Sequence, residues 1–496
     1  MSRERYRLAD HVIARRHVVS SRRPGAGAEA SFIVLHDQGE RGPRSLQVGE
    51  REWALLEGMD GTRDVEGLVV HARSRGVAMA IELATAFARE LSSEGLIVDA
   101  ASAALATGAS APKEATKKGL AEAVALPESR TDESRSRPLE HLPGFLLRCD
   151  GSGSCCRLYP TIVFSPLDAA RARAALPLVR DGGHDEGRVF LPERGVRREA
   201  LAVTLVDGRC AYLGKDGLCG IHAVAGSEAK PFGCRSFPVS LVDDGLAVRV
   251  TPGVECACVL ASAIDGGVGG ESLVDPAFVD ASALDARLYI DVLPSQIVLG
   301  RGRSVDRQSF VRWSRALEDA PVTNAALAFM ALASHVAGGV LSADAGCAAL
   351  ATNHIDDPER LLPFIRALGA RARIRASETW RSESDLARQA FVAIEAAAEI
   401  AEAGFETLLE PASATHAAEA FYVRATLFGH HLVARSHRMP LEVALLDRAT
   451  RVVLGRALSV AVAIGGLSDP AFSHPLALVE GVLRGHGLAA YWLDVT

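Results

Sequence analysis

Thiol groups are the most concentrated source of chemistry in this chain. Eight of its nine cysteines lie between Cys149 and Cys258, in a chain of 496 residues. Thiolates this concentrated bind zinc or an iron–sulfur cluster in a reducing compartment, or pair as disulfides in an oxidising one. A chain of this length does not need disulfides to compensate for a small core, and its N-terminus shows no apolar stretch of signal-peptide length. We therefore expect a cytoplasmic protein whose cysteines bind metal.

The eight cysteines form three groups that are far apart in the sequence. Glycine and serine residues surround the first group and allow the backbone to wrap closely around a bound centre. Groups this distant converge only if the fold brings several loops together, which is typical of a buried cluster rather than of an isolated zinc finger. The alternative is that some are ordinary buried thiols, as we expect for Cys347. The predicted ligands are Cys149, Cys155, Cys156, Cys210, Cys219, Cys234, Cys256 and Cys258.

Three residues beside these cysteines are candidates to support the centre. Tyr212 and Arg235 lie next to cluster cysteines, where a phenol can donate to sulfur and a cation can stabilise a thiolate. His222 follows Cys219 by three positions and is a candidate ligand, or a proton acceptor for a lysine substrate. The simpler interpretation, which we favour, is that His222 packs near the site without binding metal.

The first 100 residues predict a small module of helices and strand. A helix is expected from Glu50 to Glu57, before the turn pair Asp60-Gly61, and a second begins at Val65. A third, from about Ala78 to Ser92, places small and aliphatic side chains on one stripe and precedes a short strand. Three short helices and a terminal strand predict a winged-helix-like module.

The remaining chain divides by composition. Residues 101–140 contain few large apolar side chains and predict a flexible linker. Residues 141–262 form the irregular cysteine-rich metal-binding domain, and residues 263–496 have the helical spacing of an α-helical domain with no strands. The glycine-rich stretch Gly266–Gly270 is expected to be a turn. The predicted fold class is α+β, mostly α.

Charge and hydropathy limit the classes of partner. The 54 lysine and arginine residues against 61 aspartate and glutamate residues give a net charge of −7, so we expect no nucleic-acid partner. The apolar run from Ala457 to Ile464 is too short to cross a bilayer, so we expect no membrane span.

The N-terminal region resembles the PqqD-type peptide-recognition domains. The resemblance depends on the Gly49-Glu50 helix start, the Asp60-Gly61-Thr62 turn and the ending Glu94-Gly95-Leu96-Ile97. It implies a short β-sheet before a helical bundle, with a sheet edge that captures a protein or peptide substrate. The alternative is a winged-helix module that serves only in assembly.

The cysteine region resembles the cysteine-cluster proteins described as zinc- or iron-chelating, and is most similar to the flagellin lysine N-methylases. The shared pattern consists of Cys155-Cys156, Cys210-x-x-Leu213, Cys219-x-Ile221 with Gly226-x-Glu228, Cys234-Arg235-x-x-Pro238 and a late cysteine before a helix. Through Ala420-Phe421-Tyr422-Val423 and Phe428, which resemble an aromatic helix of that family, the resemblance extends over residues 143–496. It implies a [4Fe–4S]-dependent methyl transfer from S-adenosylmethionine to a protein lysine.

Two departures from that family pattern bear on function. The family has a further cysteine in its first motif, where Ser152 or Ser154 stands here, and it lacks the N-terminal module, so the substrate need not be flagellin. Two classes of function therefore remain: a protein- or peptide-modifying enzyme that uses an iron–sulfur centre and S-adenosylmethionine, and a noncatalytic zinc- or iron-binding protein whose centre is structural or handles metal.

Overall fold

The chain folds as two compact units of mixed secondary structure, in which helix predominates. The computed structural model describes residues 4–9, 12–19, 30–37, 44–100, 131–159, 163–176, 190–192, 201–300, 302–378, 384–410, 415–434, 439–485, 491–492 and 495. Unit 1 comprises Met1–Leu126, Tyr159–Arg235 and Arg381–Asp385, and unit 2 comprises Pro127–Leu158, Ser236–Trp380 and Leu386–Thr496. The predicted α+β class with mostly helix is confirmed.

Unit 1 opens with an antiparallel sheet. After a short strand β1 (Tyr6–Leu8), the strands β2 (Val12–Val19), β3 (Ala30–Asp37) and β4 (Arg44–Val48) form a meander in which Arg16 pairs with Ile33 and Leu35 with Leu46. The residues of β3 from Phe32 to Leu35 are all buried. The strands therefore pack against the core as a central part of the unit.

Three helices follow the meander. They are α1 (Glu50–Leu56), α2 (Val65–Ser74) and α3 (Ile81–Ser93), followed by β5 (Ile97–Asp99), which pairs antiparallel with β1. The predicted helices and terminal strand are confirmed to within a few residues. Their core contains Ala84, Ala88 and Leu91 from the stripe predicted for the third helix, together with Trp53, Leu55, Leu56 and Leu68 from the first two.

The same unit contains a cysteine-bearing hairpin. Strands β7 (Val163–Phe164), β8 (Phe190–Pro192) and β9 (Leu201–Val203) form one small sheet. The hairpin of β10 (Leu205–Val206) and β11 (Arg209–Cys210) extends the N-terminal meander, because β10 pairs parallel with β2. The sheet order is consequently β11-β10-β2-β3-β4.

Unit 2 contains a four-stranded sheet. Its strands β6 (Leu139–His141), β12 (Val239–Asp243), β13 (Val248–Pro252) and β14 (Asp291–Val292) have the order β14-β12-β13-β6. The core of this sheet includes Leu241, Val248, Val250, Val274, Leu284 and Ile290. Residues 131–140, which the sequence places in the linker, form helix α4 (Thr131–Arg135) and the start of β6, whereas residues 101–130 lie outside the described ranges.

The remaining helices are short in the cysteine region and longer toward the C-terminus. The helices in chain order are α5 (Ser154–Leu158), α6 (Pro166–Ala175), α7 (Gly220–Ala225), α8 (Phe232–Ser236), α9 (Ala257–Ile264), α10 (Arg307–Ala316), α11 (Ala325–Ala337), α12 (Ala343–Leu350), α13 (Leu362–Glu378), α14 (Asp385–Ala403), α15 (Phe405–Leu409), α16 (His416–Phe428), α17 (Leu441–Gly465) and α18 (Pro475–Gly485). None of the helices in these ranges combines the length and apolarity needed to span a bilayer.

The prediction that residues 263–496 contain only helices is wrong. Besides β14, a hairpin of β15 (Gln296–Gly300) and β16 (Arg303–Asp306) precedes the first long helix. The residues Gln296 to Leu299 alternate between exposed and buried, which is the two-residue period of a strand. Beyond the hairpin the helical expectation holds for the described residues, as in α14 (Asp385–Ala403).

Candidate metal centre

One group of potential metal ligands lies in unit 2. The ligand atoms of Cys149, Asp150 and Cys258 are all within 4.8 Å of one another. Asp150 Oδ1 is 3.2 Å from Cys258 Sγ, and the Asp150 N–H points at the same sulfur at 3.4 Å. Cys149 is exposed and Cys258 is buried, so the centre has one side toward solvent and one toward the interior.

Local chain geometry presents these groups to each other. The Asp150 carboxylate accepts a hydrogen bond from the Ser152 N–H at 2.8 Å, which closes a tight turn directly after Cys149. Gly151 in this turn has φ of +71°, a conformation that a side chain would strain. On the opposite side, Cys256 immediately precedes α9, and Cys258 lies in its first turn.

The sulfur atoms influence each other's protonation. The hydrogen bond that the Cys149 thiol donates to Cys258, together with burial, raises the pKa of the Cys149 thiol above its ordinary value. The bond to Cys149 acts to lower the pKa of Cys258, but the Cys256 thiol and burial outweigh it and the pKa is raised. Both groups are therefore thiols at neutral pH, and a metal ion that binds them must displace their protons.

Asp150 remains ionised beside these thiols. Burial acts to raise the pKa of its carboxyl, but hydrogen bonds from the Ser152 N–H and the Cys258 thiol lower it overall. The group therefore offers a full negative charge and an oxygen ligand at the point where the two thiols meet. A cation at this point would replace the thiol protons as the partner of the carboxylate.

Helix α5 carries two more of the predicted ligands within the same unit. Cys155 and Cys156 are half-buried in this helix. Arg157 donates to the Ser152 carbonyl at 2.9 Å and forms an ion pair with Asp469. The ion pair ties the turn that follows Cys149 to the chain just before α18.

His474, at the start of α18, adds an imidazole to this region. Burial lowers the pKa of His474, while the negative charges of Asp150 and Asp265 oppose that shift. The ring is therefore neutral at pH 7, which is the form that accepts a proton or coordinates a metal. His474 is distant in sequence from every cysteine group, and no spacing pattern points to it.

The other three predicted ligands belong to unit 1. Cys210 is buried in β11, Cys219 directly precedes α7, and Cys234 lies in α8. Backbone hydrogen bonds link the first two regions: Leu213 N donates to the Cys210 carbonyl at 2.9 Å, and Leu213 pairs with Cys219 in an isolated bridge. Within the described part of this unit, no three ligand atoms come within 4.8 Å of one another.

The three predicted supporting residues have different environments. Tyr212 is buried, stacks on Phe164 at a centroid distance of 6.2 Å, and its carbonyl accepts from Gly220 N at the start of α7. Arg235 pairs with Glu228 at 2.6 Å. His222 is exposed on α7. Tyr212 thus supports the Cys219 turn through its backbone, and the roles of the three side chains at a metal stay predictions.

The cysteine outside the cluster is more accessible than expected. Cys347 lies in α12 and is half-buried rather than fully buried, and its thiol donates to the Ala316 carbonyl at 3.5 Å. Its small size lets it pack between helices while one side stays open. All nine cysteines fall within the described ranges, and none forms a disulfide there.

Besides His474, two functional candidates are not predicted from the sequence. For Asp150, the position directly after Cys149 is the one signal in the sequence that could have identified it. Ser262 is four positions after Cys258, on the same face of α9, and bonds the backbone of Arg148. A serine in an apolar helix carries no signal for this role until its partner is known.

Comparisons of this chain with models of known protein families, with curated proteins and with solved structures find no match.

Proposed function

We propose that this chain is a cysteine-cluster metalloprotein with a centre in unit 2. The observation that carries the proposal is the convergence of Cys149, Asp150 and Cys258 within 4.8 Å, from segments more than 100 residues apart. Two sulfur ligands and a carboxylate oxygen suit a divalent transition metal. Cys256, whose thiol forms a hydrogen bond with that of Cys258, is a candidate for a fourth ligand, although it lies outside the group whose ligand atoms are all within 4.8 Å of one another.

The ligand set fits two metals, which differ in what they imply. Zinc accepts sulfur and oxygen ligands in a tetrahedral site, and the carboxylate of Asp150 favours this ion. An iron–sulfur cluster is typically held by cysteine thiolates, and unit 2 contains five of the eight predicted cysteine ligands: Cys149, Cys155, Cys156, Cys256 and Cys258. A [4Fe–4S] cluster would supply redox or Lewis-acid chemistry, whereas a closed zinc site would stabilise the fold.

As the activity of the centre we propose modification of a protein or peptide, with methyl transfer from S-adenosylmethionine to a lysine amine as the reaction to test. The sequence resemblance to lysine N-methylases supports this reaction. The N-terminal strands followed by three helices support a winged-helix-like, PqqD-type module that binds the substrate. The alternative is a noncatalytic zinc- or iron-binding protein, which the mixed sulfur and carboxylate ligand set favours.

Metal and sulfide analysis tests the centre. Protein purified without oxygen is assayed for iron, zinc and acid-labile sulfide, alongside the variants C149S, C258S and C347S. We expect metal in the wild-type chain, a loss of at least half of it in C149S and C258S, and no change in C347S. Equal metal content in all four proteins would overturn the proposed site.

A methyl-transfer assay separates the two functions. The metal-loaded chain is incubated with methyl-labelled S-adenosylmethionine and a panel of lysine-containing peptides. Label on lysine that disappears in C258S supports the enzyme. Full metal content with no transfer to any peptide favours the noncatalytic alternative.

A further inference from the structure

The segment that carries Cys149 runs along one face of helix α9. Cys258 and Ser262 are four residues apart on this helix and therefore share a face. Cys258 contacts Asp150, and Ser262 contacts Arg148 one helical turn later. Helix α9 therefore contacts the segment on both sides of Cys149, at Arg148 and at Asp150.

Ser262 holds the residue that precedes Cys149. Its hydroxyl accepts a hydrogen bond from the Arg148 N–H at 2.9 Å and donates to the Arg148 carbonyl at 3.3 Å. Only 3% of Ser262 is exposed. If the hydroxyl were removed, water could not easily reach the Arg148 backbone groups, and leaving them without a hydrogen bond would cost free energy. Both backbone polar groups of Arg148 are therefore fixed by one side chain.

The glycine turn Gly266–Gly270 fixes the two residues before Arg148. A Cβ at Gly270 would lie 2.9 Å from both the carbonyl carbon and the oxygen of Leu147, and one at Gly267 would lie 2.8 Å from the Leu146 oxygen. Leu147 and Glu271 also exchange two backbone hydrogen bonds, of 2.8 and 2.9 Å. Only glycine allows the turn to approach the segment this closely.

We infer that Ser262 and Gly270 are positioning residues that set Cys149 against Cys258. The inference rests on the proposed metal centre and assigns it a preorganised ligand geometry. Metal ligands must be held close to their productive positions, and partners that orient them typically contribute 10- to 100-fold to metal affinity. The contacts of Ser262 and Gly270 that carry the inference are with the backbone that leads to Cys149.

Zinc affinity tests the inference in the full-length, reduced chain. Zinc binding is measured by competition with a chromophoric chelator for S262A, S262T and G270A. S262A and G270A are expected to bind zinc about 10-fold or more weakly, whereas S262T keeps the hydroxyl and recovers most of the affinity. The cobalt-substituted protein should lose sulfur-to-metal absorption in parallel, which a change in global stability alone would not cause.

Two matched controls separate positioning from general stability. Ser314 is also a buried helical serine, and its hydroxyl donates to the Leu427 carbonyl at 3.1 Å. A Cβ at Gly404 would have its nearest neighbour at 3.6 Å, an ordinary contact. S314A and G404A should bind zinc as tightly as the wild-type chain. A loss in S314A equal to that in S262A would overturn the inference.

A metal-free measurement keeps the inference testable if the proposed function fails. Phenylarsine oxide condenses with two neighbouring thiols, forming two arsenic–sulfur bonds and releasing one water molecule. Peptide mapping then follows the rate at which Cys149 and Cys258 are bridged, which we expect to be several-fold lower in S262A and G270A. If the wild-type chain binds neither zinc nor an iron–sulfur cluster, the proposed metal centre fails. Equal bridging rates in the wild-type chain and in S262A would overturn the positioning role in either case.

Discussion

At the scale of single residues, one carboxylate beside two thiols determines the charge of the candidate centre. Asp150 stays ionised while Cys149 and Cys258 stay protonated, because the pKa of the carboxyl is lowered and those of the thiols are raised. The site therefore holds a negative charge before any metal arrives. Such a site attracts cations first and gives up its protons on binding.

Another ionised residue, Glu480 of α18, links stability to pH. It accepts from Arg448 at 2.8 Å and from Arg451 at 2.6 Å. Burial acts to raise the pKa of Glu480, but the two arginines outweigh it and lower the pKa to about 2. Because the folded pKa is below the unfolded value of about 4.3, the stabilisation is complete above that value and is lost as the pH falls toward 2.

We predict that protonation of Glu480 lowers the free energy of unfolding by roughly 3 kcal/mol as the pH drops from 5 to 2. Urea unfolding at several pH values measures the change. E480Q should be less stable at pH 7 and should show a flatter pH dependence. E399Q removes an exposed partner of Arg373 and should keep the wild-type dependence. Parallel pH profiles for E480Q and the wild-type chain would contradict the prediction.

At the scale of elements, one arginine joins several helices of unit 2. Arg456 of α17 forms a paired contact with Glu419 of α16, at 2.9 and 2.5 Å. It also donates to Asn324, which precedes α11, and to the Leu409 carbonyl at the end of α15. The charges are buried, so the loss of one leaves the other without compensation.

We predict that R456M destabilises the chain by about 3–5 kcal/mol, because Glu419 would remain buried without its partner. The exposed pair of Arg366 and Glu402 gives the control, and R366M should cost less than about 1 kcal/mol. Chemical denaturation compares the two variants. If R456M lowered the free energy of unfolding by no more than R366M, the prediction would be contradicted, and water would be solvating Glu419 in place of Arg456.

A second element-scale prediction concerns the pairing of β2 with β10. Asp207 N donates to the Val18 carbonyl at 2.9 Å, so deletion of residues 1–100 removes the partner of the Cys210 hairpin. Hydrogen exchange should become at least 10-fold faster at the Asp207 amide. A chain that lacks only residues 1–3 keeps β2 and should exchange at the wild-type rate. Unchanged exchange in the longer deletion would contradict the pairing.

Helices were more predictable than strand partners, for a physical reason. The 3.6-residue period that places Ala84, Ala88 and Leu91 on one face of α3 is local, so the sequence alone predicts this helix to within a few residues. Strand β10 has two residues, and its partner β2 is fixed by backbone bonds that carry no side-chain signal. Cysteine identity likewise predicts ligands, but only folding shows that Cys149 meets Cys258 and brings in Asp150.

At the scale of the whole molecule, metal binding should appear as a change in stability. An ion that binds only the folded chain adds about 2.7 kcal/mol when its free concentration is 100-fold above its dissociation constant. We predict that zinc raises the Tm of the wild-type chain and that a chelator reverses the rise. The double variant C149S/C258S should show less than half of this shift in calorimetry. An equal rise in both proteins would place the stabilising ion elsewhere.

The pairing of β2 with β10 also bears on how the chain is made. Arg15 in β2 donates to the Val203 carbonyl, 188 residues later in the sequence. Ribosomes add about 5–20 residues per second, so the edge of β2 waits on the order of 10–40 seconds for its partner to emerge. During that interval the nascent chain presents an unpaired strand edge, which is a template for aggregation. Molecular chaperones that cover this edge during synthesis would therefore increase the yield of correctly folded protein.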